Sequence, residues 1–524
     1  MEGATMNLEK TDVLVVGGSL VGLSAAVFLA ARGVRPIVVE RHAGSSPHPR
    51  AIGYTRRTME LFRGVGLGDA IPQAPRDHRV RRVRVRSLAG AWFEESSWSS
   101  AAPAPSEERP PCSPVNAAGI AQDRLEPMLR ARAIELGADV RTRTELVSFE
   151  QDAAGVTAVL RGHDGTETTV RAAHLVAADG ARSTIRDALG IGRSGRGYLR
   201  TARSVLFRAP LDAYLREGIV QFSIDQPGFQ AFLASYGDGR WVLIFSDDVD
   251  RDEADLRTMI MRAIGRDDMP IEIVATGRWE ICALIADRFS AGRVFLAGDA
   301  AHALPPNRGG FGANTGIEDA HNLAWKLASV IDGVSSPALL DTYDAERRPI
   351  AWLRHQQIFA RDDFKAFADE SARAAPIYDD DAMELGQLYR SAAVLGAGPD
   401  LPPARHPDAW RGQPGTRAPH AWLERDGARL STLDLFGRGW VLVTGEGEGE
   451  RWSAAAAAAR DALGIDVTVE VLLPDVCASF GLEEGGASLV RPDGYVAWRA
   501  PPPPIDAKTA LRDALAQVAL ATRG

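Results

Sequence analysis

Residues 296–316 read "LAGDAAHALPPNRGGFGANTG". The apolar run "RVFLA" just upstream has the continuous hydrophobicity of a strand buried on both faces. Downstream, "IEDAHNLAWKLASVID" sets Ile317, Ala320, Ala324, Leu327 and Ile331 on one face of a helix that the glycines predict to begin near Gly316. Between them the chain places Gly298, Asp299, Pro305, Pro306 and four further glycines. Strand, glycine-rich turn and helix make a frame in which main-chain N–H groups approach a ligand closely.

The same design occurs twice more upstream. "DVLVV", "GGSLVG", "LSAAVFLAARG" and "RPIVVE" predict strand, tight turn, helix and second strand over residues 12–40. The acid Glu40 lies where a dinucleotide fold places its ribose-binding carboxylate. Read as G-x-G-x-x-G from Gly17, the turn carries Ser19 in place of the middle glycine and ends on Gly22. "HLVAADGARSTIR" again ends an apolar strand on an acid and a glycine, Asp179 and Gly180, with Ser183 placed to cap the next turn and Arg182 and Arg186 four apart. Three such junctions on one parallel sheet share a rim, and ligands bind at that rim.

Bulk properties narrow the class. The chain has 524 residues, 45% hydrophobic, with 60 basic and 69 acidic side chains and a net charge of -9. That length suggests about three domains, and the acidic balance argues against a nucleic-acid partner. Val13–Ala31 carries no charge, but Gly17-Gly18-Ser19 breaks it and Glu2, Glu9 and Asp12 precede it, so neither a membrane span nor a signal peptide is expected. Three separated cysteines, Cys112, Cys282 and Cys477, provide no disulfide framework and no zinc ribbon, and a cytoplasmic location is expected. Arg41, Arg50, Arg56 and Arg57 cluster next, and in the run Arg76–Arg86 that follows, Val83 and Val85 alternate with arginines, which reads mainly as a solvated strand face with room for one arginine that clamps a phosphate. His302 and His321 form no metal-ligand set and are expected to be hydrogen-bonded helix histidines.

Taken together, "GGSLVG" with Glu40, "DGARSTIR" and "GDAAHALPPNRGGFGANTG" resemble the three signatures of the class A flavoprotein monooxygenases, the para-hydroxybenzoate hydroxylase-like aromatic hydroxylases. The wording is nearest to the bacterial branch that oxidises polycyclic aromatic polyketides. The resemblance implies an α/β fold: a Rossmann-like FAD-binding domain (1–75, 112–190, 290–395), an inserted antiparallel-sheet substrate domain (76–111, 191–289), a Pro/Gly-rich linker (396–422) and a thioredoxin-like C-terminal domain (423–524) without C-x-x-C. It implies FAD, with NADPH or NADH as hydride donor, O₂, and a polycyclic aromatic substrate hydroxylated through a C4a-hydroperoxyflavin. Baeyer–Villiger oxygenation of a related substrate and a non-catalytic aromatic-binding protein are the alternatives, and a homodimer is a further expectation.

Position by position, the resemblance assigns Gly17, Ser19, Gly22, Glu40 and the adjacent Arg41 to the ADP half of FAD. Arg50 falls near the pyrophosphate, and Gln122 at the ribityl chain with Arg124 beside it. Asp179, Gly180 and Arg186 support FAD and the nicotinamide cofactor. Asp299 is the ribityl ligand, Pro306 packs near the isoalloxazine, and Gly310, Gly312, Ala313 and Asn314 form the loop at its pyrimidine edge. No substrate-activating base is identifiable. Phe222, Phe229 and Phe232, on expected strands, are read as core in preference to substrate contacts.

Overall fold

The computed structural model describes residues 8–75, 81–97, 111–216, 219–306, 310–500 and 506–522. Part of the basic run (76–80), much of the expected substrate-domain segment 76–111, and Gly309 lie outside the described residues.

The chain folds around a mostly parallel sheet. Its principal elements are β1 (Leu8–Val16), α1 (Leu20–Ala30), β2 (Ile37–Glu40), α2 (Gln122–Glu135), β3 (Asp139–Thr142), β4 (Glu167–Ala177), β5 (Val294–Leu296), α3 (Phe311–Ile331) and α4 (Asp341–Ala360). Strand order is β5-β4-β1-β2-β3, flanked by the short Ser290–Ala291 at the β5 edge. Val13, Leu14 and Val15 are buried, as a strand covered by helices on both faces requires. Because β1 sends one connection towards β2 and pairs on its other side with β4, the order reverses there, which opens a crevice at the carboxyl ends.

A second eight-stranded sheet runs His302–Ala303, Glu272–Ala286, Arg193–Arg208, Arg240–Phe245, Phe229–Ser235, Ile219–Gln226, Arg81–Val85, Trp92–Ser97. It is antiparallel as expected except at one pairing, where Ile219–Gln226 and Arg81–Val85 run parallel. One face packs Phe222, Phe229 and Trp241 against the helix Glu253–Ile264. Phe222 and Phe229 are therefore core, whereas Phe232 is half-buried with the Arg82 guanidinium 5.0 Å above its ring.

The C-terminal unit has a four-stranded sheet ordered Val467–Leu472, Trp440–Gly445, Ala487–Val490, Val496–Arg499, with the first pair parallel. The alanine run lies in the helix Gly449–Leu463, with Ala455 and Ala459 fully buried. Trp325 of α3 belongs to the same apolar cluster as Trp440, Leu442 and Trp452, so this unit shares its core with the parallel-sheet body. The Pro/Gly-rich segment before it is packed: Arg417 is buried against Glu60 (2.5 Å), and Thr416 and Ala418 pair with Val496 and Gly494. No described helix is long and apolar enough to cross a membrane.

Candidate flavin site

Each of the three glycine-marked turns leaves the end of a neighbouring strand. Gly17 N–H donates to Val39 O (2.9 Å), Ala178 N–H to Val16 O (2.8 Å) and Ala297 N–H to Ala177 O (2.9 Å), so the turns stand side by side. Their glycines permit close approach. A Cβ on Gly17, where φ is 107°, would lie 2.2 Å from Ala178 O, and one on Gly22 would lie 1.8 Å from Gly17 O. A Cβ on Gly298 or Gly316 would strike Val21 of α1, and Gly316 also abuts Gly298. The first, second and third motifs thus touch one another.

The side chains at the first turn are tied to protein. Glu40 accepts from Gly18 N–H (2.7 Å) and His42 N–H (2.8 Å), which fixes the turn's shape. The Ser19 hydroxyl donates to Glu126 (2.5 Å) and accepts from Gln122 Nε2 (3.0 Å). Gln122 Oε1 accepts from the Arg50 and Ala51 N–H groups (3.2 and 3.3 Å), holding the arginine-bearing loop. Arg41, Arg50 and Arg124 are exposed. The Arg50 guanidinium has no hydrogen-bond partner among the described residues, and that of Arg124 has only Asp238 at 3.9 Å.

At the second turn, Asp179 Oδ2 accepts from Ile185 N–H (3.3 Å) while buried Oδ1 has no partner among the described residues. Burial raises the Asp179 carboxyl, against the pull of hydrogen bonds and Arg186. Arg186 is 1% exposed and its guanidinium bonds Ala181 O, Ala300 O and Asp187, so it acts on the loops themselves.

The third turn departs from expectation in two ways. α3 begins at Phe311, so Gly312, Ala313 and Asn314 occupy its first turn and are not loop. Gly310, at φ 59°, ends the loop, and the Asn314 amide and Thr315 hydroxyl bond back to Gly310 O and Phe311 O, carrying the helix through its glycines. Asn314 Oδ1 accepts from Thr55 N–H (3.0 Å) and Thr58 (2.6 Å), which fastens this end to the helix Arg56–Gly64. Secondly, His302 lies in the short strand His302–Ala303, an edge of the second sheet, and not in a helix. His321 is in α3 but packs edge-on against Phe28, with no hydrogen bond among the described residues. The chain therefore passes from one sheet to the other within the motif, and the crevice lies between them.

These residues fit FAD. α1 and α3 both start with no side-chain cap and no acid in the first turn, whereas other described α-helices have a cap, as at Thr55, Asp252, Asp379 and Asp506, or an acid in the first turn, as at Asp123 and Asp341. Two bare positive ends suit a pyrophosphate and an electron-rich ring edge. Asp299 is half-buried with no partner among the described residues, Pro306 presents an exposed apolar face, and a Cβ added at Gly180 would meet nothing within 4 Å.

The FAD binding domain family matches residues 10–357, and the aromatic-ring hydroxylase C-terminal family matches 411–519. The chain belongs to the FAD-dependent aromatic-ring monooxygenases. It is 42% identical to a 4-methyl-5-nitrocatechol 5-monooxygenase of Burkholderia sp, over 97% of both chains. It is 40% identical to a tetracenomycin B2 monooxygenase-dioxygenase of Streptomyces olivaceus, over 98% of this chain and 99% of that one. The solved ternary complex of aklavinone-11 hydroxylase with FAD and aklavinone superposes with a TM-score of 0.86 at 38% identity, covering 98% of this chain and 100% of the other.

In this monooxygenase the site rests on buried charges that motif reading passes over. Asp319 of α3 accepts from His302 Nε2 (2.6 Å), Arg347 Nε (2.7 Å) and Gly298 N–H (3.3 Å), and so supports the Gly298–His302 turn from beneath. Burial would raise its carboxyl, but His302 and Arg347 overrule that and hold it below the usual range. Acids on the buried side of a helix, as in "IEDAHN", are the available signal for such a network.

Proposed function

We propose that this monooxygenase hydroxylates an electron-rich polycyclic phenol of polyketide type, with NADPH or NADH as reductant. The convergence of the three turns between the two sheets carries this reading, and the full-length likeness to enzymes named for tetracenomycin and aklavinone supports the substrate class. The chemistry FAD supplies when bound is hydride acceptance and O₂ activation.

The chain's own part is placement and exclusion of water. Glu40, Asp179 and Asp299 offer carboxylate oxygens to sugar and ribityl hydroxyls, and exposed Arg41, Arg50 and Arg124 offer charge to the phosphates. With FAD bound, the uncapped start of α3 would favour an electron-rich ring edge placed against it. The apolar cluster of Ile281, Phe311, Phe359 and Met383, bordered by half-buried Ile244, Trp279, Leu304 and Tyr378, includes two residues of the third motif and offers a wall for a flat ring system. We read the C-terminal unit as thioredoxin-like by its element order; its single buried Cys477 excludes dithiol exchange there. The expected cytoplasmic location is consistent with all three cysteines being free thiols.

The test records NADPH oxidation, O₂ uptake and product mass with phenolic polycycles, and with 4-methyl-5-nitrocatechol as the single-ring comparison. Substrate-stimulated oxidation with one added oxygen on a polycycle supports the proposal. Turnover confined to the nitrocatechol overturns the substrate class, and a ring-expanded lactone identifies Baeyer–Villiger insertion. Sedimentation of the same sample decides the expected homodimer.

A further inference from the structure

A second group of reactive side chains gathers where three segments far apart in the chain meet. Cys112 Sγ is 3.9 Å from His406 Nε2, and His406 Nε2 is 3.4 Å from Asp381 Oδ2. One donor atom from each residue lies within 4.8 Å of the other two. Around a tetrahedral ion with metal–sulfur and metal–nitrogen bonds of about 2.3 and 2.0 Å, neighbouring donors stand about 3.3–3.6 Å apart. His406 and Asp381 already stand at this spacing, and Cys112 must move inward by up to about 1 Å to close the set on an ion.

Each donor is also held from behind. The Cys112 carbonyl accepts from Arg417 Nη2 (2.8 Å), and the other Asp381 oxygen is paired with Arg56. Asp408 Oδ2 lies 3.5 Å from His406 Nδ1, the ring nitrogen turned away from the cluster. In this structure Nδ1 accepts from Asp408 N–H (3.4 Å), and with a proton on Nδ1 instead the Asp408 carboxylate would orient a metal-bound imidazole. Asp408 Oδ1 is 3.6 Å from Cys112 Sγ. An imidazolium shared by the two aspartates, with the Cys112 thiol donating to Asp408, is the metal-free reading of the same contacts, and the test below decides between the two.

We propose that Cys112, Asp381 and His406 bind a divalent transition-metal ion, zinc(II) by their thiolate, carboxylate and imidazole donors, with a fourth position open to water. Calcium and magnesium prefer all-oxygen shells and do not suit this set. The ion joins the segment before Ser113, the short helix Asp380–Leu385 and the start of the helix Pro407–Trp410. Through Arg56 it also steadies the start of the helix whose cap, Thr55, bonds Asn314 at the flavin site. The site is independent of the substrate assigned above.

The test uses the full-length flavoprotein, stripped with a chelator and titrated with cobalt(II). Absorption is followed at wavelengths longer than the flavin bands, with metal analysis and displacement by zinc. One tightly held cobalt per chain is expected, with tetrahedral absorption lost and affinity at least ~100-fold weaker in Cys112→Ser and His406→Gln, and unchanged in Cys282→Ser. In the unmutated protein zinc should protect Cys112 from alkylation, read by peptide mass, which tests the site without any variant. Less than one equivalent bound at micromolar metal, a signal that survives both variants, or equal alkylation with and without zinc overturns the proposal.

Discussion

Arg186 Nη1 lies 3.2 Å from the carbonyl oxygen of Ala300, and this contact ties the second flavin-site turn to the third. The same nitrogen donates to Ala181 O, so one buried cation fixes the spacing of two loops. In Arg186→Lys a single, nearer nitrogen must serve both carbonyls and Asp187, which the Nε and Nη2 groups of the arginine bond separately. Loss of a buried charged hydrogen bond costs about 1.5–3 kcal/mol, so flavin retention should weaken roughly ten- to hundred-fold in a fluorescence titration. An unchanged affinity would mean the loops hold their spacing without it.

Asp299→Ala removes a half-buried carboxylate that has no partner among the described residues. Its removal therefore leaves no protein donor orphaned, and the fold should keep its melting temperature. Flavin binding should weaken by about tenfold or more, as expected for loss of a charged acceptor. Equal flavin affinity in the variant would remove Asp299 from the ribityl site.

Ser19 and Gly22 should behave in opposite ways. Ser19→Gly removes a tether to Glu126 and Gln122 but adds no atom, so FAD binding persists with at most about 1–2 kcal/mol lost from stability. Gly22→Ala forces a Cβ to 1.8 Å from Gly17 O and should abolish flavin loading. Yellow, stable Gly22→Ala protein would show that the turn is more compliant than this.

Glu346 of α4 accepts from Arg491 (2.6 and 3.0 Å), Lys326 (2.8 Å) and Asn322 (2.7 Å), all buried. Burial would raise its carboxyl, but Arg491 and Lys326 hold it well below the usual range, while burial lowers Lys326 to about 8 against the pull of Glu346. Glu346→Gln leaves buried Lys326 with no carboxylate partner while Arg491 keeps Asp493, and losing the partner of a buried charge costs about 3–5 kcal/mol. Because Arg491 belongs to the C-terminal unit, limited proteolysis should release that unit sooner. Identical digestion would count against the network as a clamp.

Burial lowers His174 to about 4, with Arg293 adding to the effect. The unfolded chain takes up this proton near pH 6.5, so between about 6.5 and 4 the unfolded state binds more protons. Stability is then present above that window and is lost as pH falls through it. His355 and His420, also lowered to about 4 chiefly by burial, act in the same sense. Urea unfolding from pH 7 to 4.5 should show the decline, and His174→Gln should flatten it by up to ~1.4 kcal/mol per pH unit. A slope that does not change in the variant would place the proton uptake elsewhere.

Much of the fold was legible because its signals are local. Continuous apolar strands, glycine turns and the acid at Glu40 predict the flavin sheet. The start of α3 was misplaced because glycines normally end helices, whereas Gly312 and Gly316 lie inside one, the latter because Gly298 and Val21 leave room for nothing larger. The parallel pairing of Arg81–Val85 depends on which strands meet, which no local pattern records.

Residue type and spacing alone determined the three turns, their order and the family they resemble, because backbone conformation and hydrophobic periodicity act over a few residues. Only the tertiary structure decided that Gln122 holds the Arg50 loop, that Arg186 joins two turns, that Asp319 supports the third, and that Cys112 meets Asp381 and His406. Those partners are distant in the chain, and a buried polar group finds its partner by position in space.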